Sequence, residues 1–285
     1  MNRLSSLASS DSSPSQPLTK LHVEEALVDS SRDGGGQSLA SFEGPLGNLL
    51  KPKIRRSHRF FVPVRYEAAY RYPLIVWLHS DGYNEHQISH VMPHISTRNF
   101  VGVGIRGSQA IDPSGSRFAW AQTPAAISRC EDAVWQAIDD ACERYSIHHE
   151  RIFLAGYGEG GTMARRIALQ RSGQFAGCIS LGGRMPRGNS VLANLHRARK
   201  LNNFWAVAMN GRSITDEQFD DDIRLAADAR LRFEVRRYTV EDEMVSEVLR
   251  DVNVWAMRIV TGETGAASKP AAPDWATIDV QFSSN

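Results

Sequence analysis

The chain has 285 residues, 42% of them hydrophobic, and a formal net charge of +1 from 33 Lys+Arg against 32 Asp+Glu. That balance excludes a nucleic-acid binder relying on a broad basic surface, and no run of about 18 apolar residues offers a membrane-spanning helix. Three cysteines, Cys130, Cys142 and Cys178, form an odd count without CxxC spacing, which indicates neither a disulfide framework nor a zinc site. The N-terminus lacks the apolar run of a secretory signal, so the expected compartment is the reducing cytosol.

Residues 1–56 open the chain with eleven serines in the first 42 positions and the run Gly34-Gly35-Gly36. Such a segment buries too little apolar surface to offset its ordering entropy and is expected to be disordered, with one or two helical turns at 18–28. The basic cluster Lys51, Lys53, Arg55, Arg56 and Arg59 reads as a solvated lead-in to the first strand. Apolar runs of strand character follow at 58–64, 74–78, 100–105, 152–155, 175–181, 204–209 and 233–238. Several are continuous hydrophobic blocks, as strands buried on both faces of a parallel sheet require. Helical stripes separate them. Ile127, Cys130, Val134, Ala137, Ala141 and Tyr145 recur at three and four, as do Met244, Val248, Val252, Trp255 and Ile259 near the end. The alternation predicts an α/β three-layer sandwich around a mostly parallel twisted sheet, spanning 57–262. Residues 263–285, rich in Ala and Pro, are expected to be a flexible tail.

The most informative segment runs from Arg151 to Ala164. An apolar strand enters Gly156-Tyr157-Gly158-Glu159-Gly160, and a helix with Met163, Ile167 and Ala168 on one face follows. This layout resembles the nucleophile elbow, G-x-S-x-G, with Gly158 where the serine should stand. Glycine tolerates the strained dihedrals of that position, so the turn can persist without its hydroxyl. A second segment, Tyr72 to Gly82 followed by Asn84-Glu85, resembles the strand and HGxG loop that supplies oxyanion-hole amides. With Met92-Pro93 and 98–103, these motifs make the chain similar to the phospholipase/carboxylesterase branch of the α/β-hydrolase superfamily, which includes acyl-protein thioesterase-like and dienelactone-hydrolase-like proteins.

The resemblance implies a triad in the chain order Ser, acid, His. It puts Ile214 at the acid position, after the strand 204–209, and Asp242 at the histidine position, after the strand 233–238. The last histidine of the chain is His196, so none follows the acid strand. The resemblance also places the oxyanion loop at His79, Ser80, Asp81 and Gly82, with backbone donors at Asp81 and Glu159. Carboxylates on both donor residues oppose developing negative charge, and Asp81, Glu159 and Asp242 are expected around one depression. Arg106 and Arg184 are the neighbours suited to neutralise them.

Other residues read as structural. His86, His90 and His94 stand at i, i+4 and i+8, but Pro93 interrupts the last interval and no fourth ligand is evident, so no metal and no cofactor is expected. His79 reads as a brace for the oxyanion loop, and His148-His149 as a turn. The cysteines read as inert small hydrophobes. Ser80 and Ser180 are the best displaced hydroxyls, without an identifiable base. The glycines of 156–161 match neither phosphate-loop pattern, and Glu159 would repel phosphate. The expectation is a non-catalytic, pseudoenzyme-like binding or regulatory protein for a small acyl or cationic ligand. The alternatives are a carboxylic ester or thioester hydrolase using displaced groups, and an interaction domain acting through its terminal segments.

Overall fold

A computed structural model describes residues 58–188 and 194–263 and the backbone of Ile278–Asp279. The segment 1–56, expected to be disordered, lies outside these described residues, as does most of the expected tail.

Ten strands are described: β1 (His58–Phe61), β2 (Tyr72–Leu78), β3 (Val101–Ile105), β4 (Gln109–Ala110), β5 (Phe118–Ala119), β6 (Ile147–Tyr157), β7 (Gly177–Leu181), β8 (Asn202–Ala208), β9 (Phe233–Tyr238) and β10 (Ile278–Asp279). Six α-helices accompany them: α1 (Ile88–Ile95), α2 (Pro124–Arg144), α3 (Glu159–Gln170), α4 (Leu195–Ala198), α5 (Asp216–Asp228) and α6 (Ser246–Thr261). The main sheet has the order β1-β3-β2-β6-β7-β8-β9-β10. Its inner pairs from β3 to β9 are parallel, and β1 and β10 close the edges in antiparallel fashion. The expected three-layer sandwich is therefore present. Two residues assigned to the flexible tail, Ile278 and Asp279, instead pair with Val235 and Glu234.

The layers follow from the period of two along each strand. On β2, Leu74, Val76 and Leu78 enter one core with Val134 and Ala137 of α2, Met163 and Ile167 of α3 and Phe219 of α5. Ile75 and Trp77 enter the opposite core with Ile88 and Met92 of α1 and Val248, Val252 and Trp255 of α6. Both faces of the strand are thus covered, which explains why β2 reads as an unbroken apolar block and is buried at every position.

The strand order reverses between β2 and β6. The chain leaves β2 toward β3 on one side and leaves β6 toward β7 on the other. Loops leaving the carboxyl ends of two such strands part and open a crevice, the usual ligand position in open α/β sheets. The loop after β2 carries His79 to Gly82, and the turn after β6 carries Gly158 and Glu159.

Candidate functional site

The turn after β6 adopts the elbow geometry. Gly158 has φ 56° and ψ −125°, a region that side-chain-bearing residues occupy only under strain. Its N–H donates to Leu181 O at 2.8 Å, and its carbonyl accepts from Thr162 N at 3.0 Å. The turn is therefore clamped between β7 and the first turn of α3. The flanking glycines permit the close approach: a Cβ on Gly160 would stand 2.2 Å from His79 O, and one on Gly156 would stand 2.5 Å from Gly160 C. A Cβ on Gly158 would meet nothing within 4 Å. The space above Gly158 is open.

The loop after β2 is braced by a buried histidine. His79 Nε2 accepts from Gly107 N at 2.8 Å, and Nδ1 lies 2.7 Å from Ser80 O. That pattern requires the neutral tautomer with its proton on Nδ1, donated to the Ser80 carbonyl. Burial lowers the imidazole pKa and so favours the same neutral form. Trp120 Nε1 donates to His79 O at 2.7 Å. Ser80 is held by Gln87, whose side chain bonds both its N–H and its hydroxyl. Gly82 has φ 78°, and its N–H donates to Phe118 O at 2.8 Å. The β4–β5 hairpin, which has too few residues to show a sequence period, thus buttresses this loop.

On the loop side, partial desolvation raises the Asp81 carboxyl, and Trp120 N donates to it at 3.3 Å. Desolvation also raises Glu159, with Asp81 adding to the effect and Arg184 and Arg166 opposing it. Asp242 acts on Tyr157, the residue before Gly158, and on Glu243. Of the two arginines expected as neutralisers, Arg106 is engaged with Glu85, while Arg184 pairs with Asp222 at 2.6 Å and also acts on Glu159.

Glu243 escaped sequence reading because it is one acid in the acidic run 241–243. It is 1% exposed, and its Oε1 accepts from Ala208 N at 2.8 Å. Burial raises its carboxyl. It packs against the end of β7, where a Cβ on Gly182 would stand 2.7 Å from Oε2. Ser213, next to Ile214, lies beside both Tyr157 and Glu243. Ile214 itself turns into the core and is 7% exposed. The acids that follow it sit on α5 and point elsewhere. Asp216 pairs with Arg237 at 3.0 Å, and Asp222 binds Arg184 and Arg187.

The other sequence candidates lie apart from the crevice. His86 approaches Glu85, and His94 Nδ1 lies 3.0 Å from Ser246 Oγ. Among the described residues no three His, Cys, Asp or Glu side chains form a metal-ligating group. His148-His149 belongs to β6 rather than to a turn. Burial raises the thiol of Cys130, and raises that of Cys178 to about 12. Ser180 is fully buried beneath α3. No helix among the described residues is long and apolar enough to cross a membrane.

A strand, a clamped turn at positive φ and a helix, set at the reversal point of a parallel sheet, define an α/β-hydrolase fold. Solved structures agree. YahD with malic acid aligns at TM-score 0.56 and 15% identity, covering 71% of this chain and 98% of that one. A Bacillus cereus carboxylesterase aligns at 0.57 and 15%, covering 74% and 98%. Arabidopsis thaliana SOBER1 aligns at 0.56 and 16%, covering 67% and 100%. No protein-family model and no curated protein matches the chain. The likeness is therefore one of fold, of the carboxylesterase-like type that the sequence motifs resemble.

Proposed function

We propose that this chain is a non-catalytic member of the α/β-hydrolase fold that binds a small ligand in the crevice over Gly158. The observation that carries the reading is Gly158 itself, which keeps the elbow dihedrals and the open space above them with no side chain to attack a substrate. The loop between β9 and α6, residues 239–245, contains no histidine to serve as base. A hydroxyl, a base and an orienting group must converge for nucleophilic catalysis. The hydroxyls nearest to qualifying, Ser80 and Ser180, are respectively tied to Gln87 and enclosed beneath α3.

The crevice favours a cationic or neutral polar ligand over an anionic one, because Asp81 and Glu159 flank the amides that would hold an oxyanion. Short acyl p-nitrophenyl esters test the reading: the full chain should turn them over no faster than buffer. Turnover lost on substituting one crevice residue would instead establish a hydrolase with displaced groups. Residues 57–285 alone should retain ligand binding, whereas binding that needs 1–56 would favour recognition by that terminal segment.

A further inference from the structure

Behind the elbow, on the side of α3 facing the sheet, four hydrogen-bond donor atoms are buried without an acceptor. Arg165 lies one helical turn beyond Gly161 and is 0% exposed. Its guanidinium carbon sits 4.4 Å from the Trp205 ring centroid and 5.2 Å from that of Phe233. Nη1 donates to Gly183 O at 3.3 Å, while Nε and Nη2 have no partner. Trp205 Nε1 and Ser180 Oγ are likewise enclosed and unpartnered.

These atoms come from three elements that the fold brings together. Ser180 of β7 and Trp205 of β8 are register partners, so their side chains stand side by side on one face. That face is the one beneath α3, since a Cβ on Gly161 would be 2.7 Å from Ser180 Oγ. A Cβ on Gly183, whose carbonyl receives Arg165, would be 2.5 Å from the same hydroxyl.

The charge rests on the faces of Trp205 and Phe233, and among the described residues no carboxylate oxygen pairs with it. Asp222 exerts a field on Arg165, but its oxygens are taken by Arg184 at 2.6 and 3.0 Å, Arg187 at 2.6 Å and Met185 N at 2.8 Å. An arginine remains protonated at neutral pH even here, where burial lowers its pKa to about 10. A buried charge and a buried unpaired donor are each costly. A water molecule would accept from these groups and then need acceptors for its own two protons. An anion needs none, and it neutralises the guanidinium.

We propose that Arg165, Trp205 and Ser180 enclose a single monovalent anion of halide size, bound between α3 and strands β7 and β8. The ion ties the elbow helix to the sheet from behind. It lies outside the crevice over Gly158, so the assignment is independent of what the crevice binds.

The full-length chain crystallised from sodium bromide should show an anomalous peak in contact with Arg165, Trp205 Nε1 and Ser180 Oγ. In solution at fixed ionic strength, replacing sodium gluconate by sodium chloride should raise the melting midpoint along a saturating curve, because a ligand bound only by the folded state stabilises it by mass action. The variant R165M keeps a long side chain over Trp205 but loses the donors and the charge, and its midpoint should not respond to halide. W205F, which keeps a ring and loses one donor, should move the halide response to higher concentration and serves if R165M does not fold. A water or no density in place of the bromide peak, or equal wild-type midpoints in gluconate and chloride, would overturn the proposal.

Discussion

Gly158 and Gly160 are two residues apart, yet they are glycines for different physical reasons. At Gly158 the reason is backbone conformation, since φ is 56° while the space for a Cβ is empty. At Gly160 it is contact, since a Cβ would stand 2.2 Å from His79 O. Gly158→Ala should therefore cost about 1–3 kcal/mol through strain alone. Gly160→Ala should cost more, because α3 must move away from β2. Urea titration of both variants measures the order, and equal losses would contradict it. The sequence pattern showed that an elbow was present but could not separate these two causes.

Glu243 makes a second prediction at the same scale. Its folded-state pKa is raised from the ordinary 4.5, chiefly by burial. The folded chain therefore holds this proton to higher pH than the unfolded chain does. Stability from this group is full below about 4.5 and declines as pH rises through the window up to its folded-state value. Glu159, raised in the same direction, contributes to the same decline. Glu243→Gln should flatten part of that slope in melting curves taken between pH 4 and 8, and an unchanged slope would remove Glu243 as its source. Nothing in the linear pattern marked Glu243, because its burial depends on the ends of β7 and β8 meeting above it.

Among the elements, the parallel strands were the most legible, because burial on both faces demands continuous apolar runs. Phe233–Tyr238 matches the expected strand end to end, and the expected 74–78 lies within β2. The first half of β6 was missed because His148, His149 and Glu150 are polar and half-buried or exposed there, so apolar character begins only at Ile152. The helix α5 was also unassigned, although its start is written in the sequence. Thr215 accepts from Gln218 N while Gln218 accepts from Thr215 N, a reciprocal capping box. Thr215→Ala should cost about 1 kcal/mol of global stability. A loss confined to the exposed helix end, seen as hydrogen exchange without a change in the urea midpoint, would show instead that α5 frays independently of the core.

At the scale of the whole molecule, the sheet order decides where a site can be. The reversal between β2 and β6 brings the loop after β2 and the turn after β6 to one crevice. Sequence motifs found both segments. Asp242 follows β9, two strands beyond β7 in the sheet, and acts on Tyr157 and Glu243. The crevice lies over Gly158, which has no side chain, and covalent chemistry tests the proposed non-catalytic reading most directly. Intact-mass spectrometry of the full chain after incubation with an excess of a fluorophosphonate should show only the unmodified mass. A stoichiometric adduct on a crevice residue, abolished by substituting that residue, would contradict the account.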